Sequence, residues 1–143
     1  ATLDSDTTYI ARQTSTPSGL LYDTFALPDH TIENGTISQI KVYAQMRRTG
    51  SPGAATYVIA IIASGVLHQS ASDAPGDTYT EYSNIWTVNP ETSVDWTWAN
   101  IDALEIGIGI NPSGDGIIQT RCSQLYVEVT YIPVVFIPKV FFL

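Results

Sequence analysis

The chain has 143 residues, fourteen Asp and Glu against six Lys and Arg, and a formal charge of −8. A protein this acidic has no electrostatic footprint for nucleic acid or for an anionic lipid surface, and both partner classes are set aside. The length suits one domain with a real core, and a single cysteine, Cys122, excludes an intrachain disulfide framework.

Charged residues are 14% of the chain, well under the roughly 25% of an ordinary soluble domain. Seventeen Thr and twelve Ser carry the polarity instead. Such a balance points to a secreted protein, at a cell surface or on a virion. The chain opens at Ala1 with neither Met nor a basic-then-apolar leader, and the composition favours a leader removed on export.

Taken in chain order, the apolar pattern has period two almost throughout, which is the signature of strands. Strands are predicted over residues 7–12 and 20–27. Next, Ile40, Val42, Ala44 and Met46 alternate with Lys41, Tyr43, Gln45 and Arg47. Residues 57–63 are apolar on both faces and read as a central strand. A further strand is predicted over 78–87. Leu104, Ile106, Ile108 and Ile110 alternate with Glu105, Gly107 and Gly109, and Leu125, Val127, Val129 and Tyr131 with Tyr126, Glu128 and Thr130.

Turn residues punctuate these runs at Thr16-Pro17-Ser18-Gly19, Pro28-Asp29-His30, Glu33-Asn34-Gly35, Gly50-Ser51-Pro52-Gly53, Ser64-Gly65, Ala74-Pro75-Gly76-Asp77 and the segment 111–116. Eight or nine short strands with such punctuation predict an all-β, antiparallel β-sandwich. One short helical turn is expected near Trp98–Leu104, capped by Thr97, with Trp98, Ile101 and Leu104 on one face. Residues 1–131 form the domain, and 132–143 form an apolar C-terminal strand or tail.

That tail, Ile132-Pro133-Val134-Val135-Phe136-Ile137-Pro138-Lys139-Val140-Phe141-Phe142-Leu143, carries one charge. It is too short to cross a bilayer as a helix, which needs about 20 apolar residues, and Pro133 and Pro138 would break that helix. Two fates remain: an edge strand in its own domain, or a strand given to a neighbour. Burying about six of its large side chains at roughly 2 kcal/mol each supplies a gross ~12 kcal/mol before ordering costs.

Catalytic motifs are missing from the sequence. His30 and His68 sit in turn-like contexts without Cys or Glu at metal-ligand spacing, and Cys122 reads as a buried structural thiol. Asp95 with Asp102, or Glu81 with Glu91, are the only acid/base pairs to consider. Gly107 and Gly109 leave small outward positions where a backbone or a partner can lie close. No cofactor is called for except Ca²⁺, whose candidate ligands are Asp4 and Asp6 with Ser5 and Asp23 or Asp29; Asp73, Asp77 and Asp115 are alternatives. Trp86, Trp96 and Trp98 form a candidate sugar-stacking platform, although core packing is the stronger reading of these rings. Asn34-Gly35-Thr36 is the one glycosylation sequon.

Several blocks resemble a poorly characterised β-sandwich module of phage- and virus-associated and microbial extracellular proteins. They are Leu27-Pro28-Asp29 with Gly35-Thr36-Ile37, then Val42-Tyr43-Ala44 with Arg47-Arg48, the stretch from Tyr82 through Trp86 to Pro90, the block from Trp96 to Gly107, and the block from Thr120 to Tyr131. The resemblance implies a jelly-roll-like sandwich with a structural or adhesive role and no catalytic residues. Such modules have a further strand at the front and end near Tyr131, so this chain lacks one strand and carries a spare one.

That departure is the pattern of donor-strand complementation, in which Val134, Val135, Phe136, Ile137, Val140, Phe141, Phe142 and Leu143 would assemble subunits. A head-to-tail contact of that kind yields a filament of copies of the chain. The expectation is therefore a non-enzymatic subunit of an extracellular filament or virion surface assembly. A carbohydrate-binding module on a phage tail or cell surface is the alternative.

Overall fold

Apolar alternation becomes eight strands in the structure, a computed structural model that describes residues 9–12, 19–31, 33–49, 55–111 and 119–134. In chain order these are β1 (Ile10–Arg12), β2 (Leu21–Ala26), β3 (Thr36–Thr49), β4 (Thr56–Ala63), β5 (Val66–Gln69) and β6 (Thr80–Trp86). A helical turn α1 (Trp98–Asp102) comes next, then β7 (Glu105–Asn111) and β8 (Gln119–Ile132). They pair as two four-stranded sheets, in the orders β1-β8-β3-β6 and β2-β7-β4-β5, and every pairing is antiparallel. The protein is an all-β sandwich.

The longest ladder joins β3 to β8 from Thr36↔Ile132 to Thr49↔Gln119. Two register shifts interrupt it, between Ile37 and Gln39 and between Gln45 and Met46. At the first, Ser38 is the extra residue on β3, and its hydroxyl donates to the Thr130 carbonyl at 3.1 Å. At the second, Ser123 is extra on β8 and its hydroxyl donates to the Gln45 carbonyl at 3.5 Å. Each bulge resets the side-chain alternation. Ile37 and Ile40, three residues apart, consequently both reach the core, where both are buried.

The core lies between the sheets. Ile37, Ile40, Val42, Ala44 and Met46 from β3 face Tyr57, Ile59 and Ile61 from β4 and Ile106, Ile108 and Ile110 from β7. Trp96, Ile101 and Leu104 close one end. Thr97 caps α1 as expected: its hydroxyl accepts from the Asn100 backbone N–H while the Asn100 side chain accepts from the Thr97 N–H. The helix itself is shorter than 98–104, because Ala103 is its C-cap, and Leu104 reaches the core from just beyond it.

The small outward positions of β7 serve the chain itself. Gly107 and Gly109 pair with Thr24 and Tyr22 on one side and Ala60 and Val58 on the other. The Tyr22 ring lies over Gly109, and its hydroxyl donates to Gln69 across the sheet. A Cβ at Gly107 would stand 2.8 Å from the Asp23 carbonyl oxygen and 2.8 Å from Thr24 Cγ2. Backbone cannot yield as a flexible side-chain tip can. Gly107→Ala should therefore destabilise the fold by roughly 1–3 kcal/mol, read as a lower urea midpoint with an unchanged slope.

Candidate functional site

The sandwich is unevenly closed along the β1/β2 side. β3 pairs with β8 over nearly its whole length, but β1 covers β8's other edge only from Thr120 to Cys122. Among the described residues, no strand pairs with that edge from Leu125 to Ile132. Leu125, Val127, Val129 and Tyr131 point inward from this stretch and are only partly buried against the core.

The opposite wall shows the same gap. Leu21 and Phe25 of β2 pair with Ile110 and Ile106, whose side chains are core, so both face inward. Yet Leu21 is 40% exposed and Phe25 47% exposed. Among the described residues, the second layer covers these inward-facing apolar side chains only in part.

Two clefts mark the opening. One, of about 400 Å³, is bordered by Tyr9, Phe25 and Leu125. The other, of about 320 Å³, is bordered by Leu27, Trp98, Ile101, Val127 and Val129. Phe25 and Leu125 line the first, and Leu27 and Val127, the next inward positions, line the second. The clefts therefore follow one another along β8 as one largely apolar trough, bordered also by Ser123, Gln124, His30 and Glu33, with Asp23 between Leu21 and Phe25 on the inward face of β2.

An aromatic cluster closes the far end. The His30 ring stacks on Trp98 at 5.0 Å, and the Tyr131 ring meets Trp98 edge-on at 5.1 Å. The Trp98 indole N–H donates to the Gly35 carbonyl at 3.1 Å. Asp102 fixes the histidine: its Oδ1 accepts from the His30 backbone N–H at 3.0 Å and lies 2.7 Å from Nδ1. Those two contacts hold the Asp102 carboxyl below the usual carboxylate range.

Beside the cluster the chain leaves the sandwich. Gly35, with φ +121°, lets the Ile132 carbonyl pass where a Cβ would otherwise sit. Past that point Ile132 is 69% exposed and Val134 70% exposed. Apolar chain therefore enters solvent at the trough's rim.

The structure separates the residues singled out in the sequence. Val134 is exposed at this exit, while Val135, Phe136, Ile137, Val140, Phe141, Phe142 and Leu143 lie outside the described residues, as do Asp4 and Asp6. Asn34 is exposed on the loop before β3. Asp23 lies on β2, Asp29 on an exposed loop, and Asp115 is outside the described residues. Among the described residues no three His, Cys, Asp or Glu side chains gather as a metal cluster, and no helix is long and apolar enough to cross a membrane.

The three tryptophans do not form one sugar platform. Trp96 is 3% exposed in the core, with its indole N–H donated to the Trp86 carbonyl at 3.1 Å, so neither of its faces is open. Trp86 and Trp98 are half-buried and pack against the same core. Sequence proximity placed the rings together, but strand alternation and the helix cap send them to different neighbours.

The histidines also differ from the exposed loop residues expected. His68 lies on β5 with Nε2 3.3 Å from a Glu91 carboxylate oxygen, and His30 is held by Asp102; both side chains are less than a third exposed. Glu81 accepts from the Tyr126 hydroxyl at 2.6 Å, which raises that phenol to about 12. Cys122 is buried, donates its Sγ–H to the Gln124 carbonyl at 3.2 Å, and burial pushes its thiol up to about 12.

No family model, curated protein or solved structure matches the chain, so the trough is read from its own residues.

The shifted Cys122 and Asp102 groups can each be checked in solution. Cys122 should stay unmodified by a thiol reagent at pH 8 in the folded protein and react fully in urea, because its thiolate is scarce below the raised value. The Asp102–His30 contact contributes stability above the ordinary carboxylate range and is lost as pH falls through the depressed Asp102 value. The Asp102 carboxyl carbon, tracked by NMR, should titrate below the usual aspartate range, and Asp102→Asn should abolish that step.

Proposed function

We propose that this chain is a non-enzymatic structural subunit of an extracellular filament or virion surface assembly, polymerising by β-strand donation between copies. The observation that carries the reading is the exit of the chain. Ile132 and Val134 stand in solvent at the end of β8, and the sequence from Val135 to Leu143 is apolar apart from Lys139. An apolar segment of this length is costly in water, and Pro133 and Pro138 would break a helix running through it.

The strand order supports the architectural half of the proposal. The chain passes from one sheet to the other at every connection except β4–β5, and we read this as the double-sheet wiring of a jelly roll. Jelly rolls build viral shells as well as binding domains, so the wiring is compatible with a structural role. The buried, protonated thiol of Cys122 is consistent with a protein that does no thiol chemistry. The Asn34 sequon, on an exposed loop, is open to a glycan in a secreted protein.

Deleting residues 133–143 should convert the assembled material to a species of monomer size by size-exclusion chromatography, with no fibres or shells by negative-stain electron microscopy. Filaments from the truncated chain would overturn the reading.

A further inference from the structure

We infer that the trough along β8, from Leu125 to Tyr131, is the acceptor site for the C-terminal segment of a second copy of this chain. The inference rests on the strand-donating reading above and names the surface that reading left open. The acceptor has two parts. The edge of β8 that no strand covers among the described residues offers backbone N–H and C=O groups, which an added strand satisfies. The inward row of Leu125, Val127, Val129 and Tyr131 offers apolar contact to every second side chain of that strand.

Length and pattern fit. Eight residues of edge, Leu125 to Ile132, span about 26 Å at roughly 3.3 Å per residue. The ten residues from Val134 to Leu143 span about 33 Å by the same rise, so the segment can cover the edge with residues to spare. Alternate positions divide it into two rows. Val134, Phe136, Pro138, Val140 and Phe142 form a row without charge, while Lys139 falls in the other. The uncharged row faces the trough and Lys139 faces water. Pro138 is tolerable because an added strand is an edge strand, where half of the N–H positions face solvent.

Two nearer occupants fit worse. The chain's own tail would have to reverse at once after Ile132. Tight hairpins use turns with positive φ, whereas Pro133 is fixed near −65° and Val134 is β-branched. The chain's own beginning is the other candidate. Carrying the β1 register upstream from Ile10↔Cys122 would bring residues 1–8 along the same edge. That stretch holds one large apolar side chain, Leu3, and two carboxylates, Asp4 and Asp6. Apolar walls call for the apolar segment.

Full-length variants test this in two steps. The donor variant V140D/F142D should fail to polymerise, and so should either acceptor variant, V127D at the trough's centre or F25D at a half-exposed position that the core does not need. Neither class assembles alone. An equimolar mixture of donor and acceptor variants should give a discrete heterodimer by size-exclusion with light scattering, since each supplies what the other lacks. Hydrogen exchange should then show alternate amides of residues 125–132 protected at least tenfold more in the heterodimer than in the unmixed donor variant.

Failures separate cleanly. Filaments from V140D/F142D overturn the strand-donating reading itself. Loss of filaments in the donor variant, with both acceptor variants polymerising normally, leaves that reading standing and overturns this acceptor. Protection of the same amides in the unmixed donor variant shows the edge covered within one chain and overturns the acceptor as well.

Discussion

The β3–β8 ladder is the constraint on which the rest of the molecule depends. It is the longest pairing in the fold, and it lines one wall of the core with residues from both strands. Its two bulges decide which side chains face inward. Without Ser38, Ile37 would lie on the wet face, and without Ser123, either Cys122 or Leu125 would. The serine hydroxyls donate across the ladder at both interruptions, so the irregularities remain hydrogen-bonded while the strands change phase.

That change of phase also shapes the open side. Beyond Ser123, β8 presents Leu125, Val127, Val129 and Tyr131 inward, and β1 pairs only as far as Cys122. Apolar residues continue where the described partner strand ends. Across the gap, β2 keeps Leu21 and Phe25 in inward register with β7, although nothing among the described residues covers them fully. The trough is thus a property of two strands that continue past their cover.

Much of the sandwich was legible in the sequence because period-two alternation is a direct consequence of strand geometry. The rows Ile40-Val42-Ala44-Met46 and Ile106-Ile108-Ile110 face the core as the pattern requires, and residues 57–61 are buried on both faces. The losses came where alternation breaks. Thr36–Gln39 and Gln119–Gln124 are strand, but the bulges at Ser38 and Ser123 put their inward residues out of step. β5 was missed because Val66 and Leu67 are both exposed and do not alternate; the turn before it, with Ser64 and Gly65 both at positive φ, makes the hairpin. Of the site, the inward row Leu125, Val127, Val129 and Tyr131 was visible as alternation, but its opening was not. The trough depends on where β1 stops and on which strand lies beside which, and no local pattern records either. For the tryptophans core packing was the stronger reading, and Trp96 is a core residue; that Trp98, two residues on, is also a wall of the trough follows from the helix cap.

The exit at Ile132-Pro133-Val134 has a mechanical consequence. Ile132 still pairs with Thr36, while Pro133 and Val134 are exposed beyond it, so a neighbour gripping the apolar segment that follows would be tethered by a joint only a few residues long. Subunits joined in this way would be linked through one short connection rather than across a broad face. Tension would run along the gripped strand and load its ladder of bonds in parallel rather than one at a time. Such a thread would bend at its joints sooner than break.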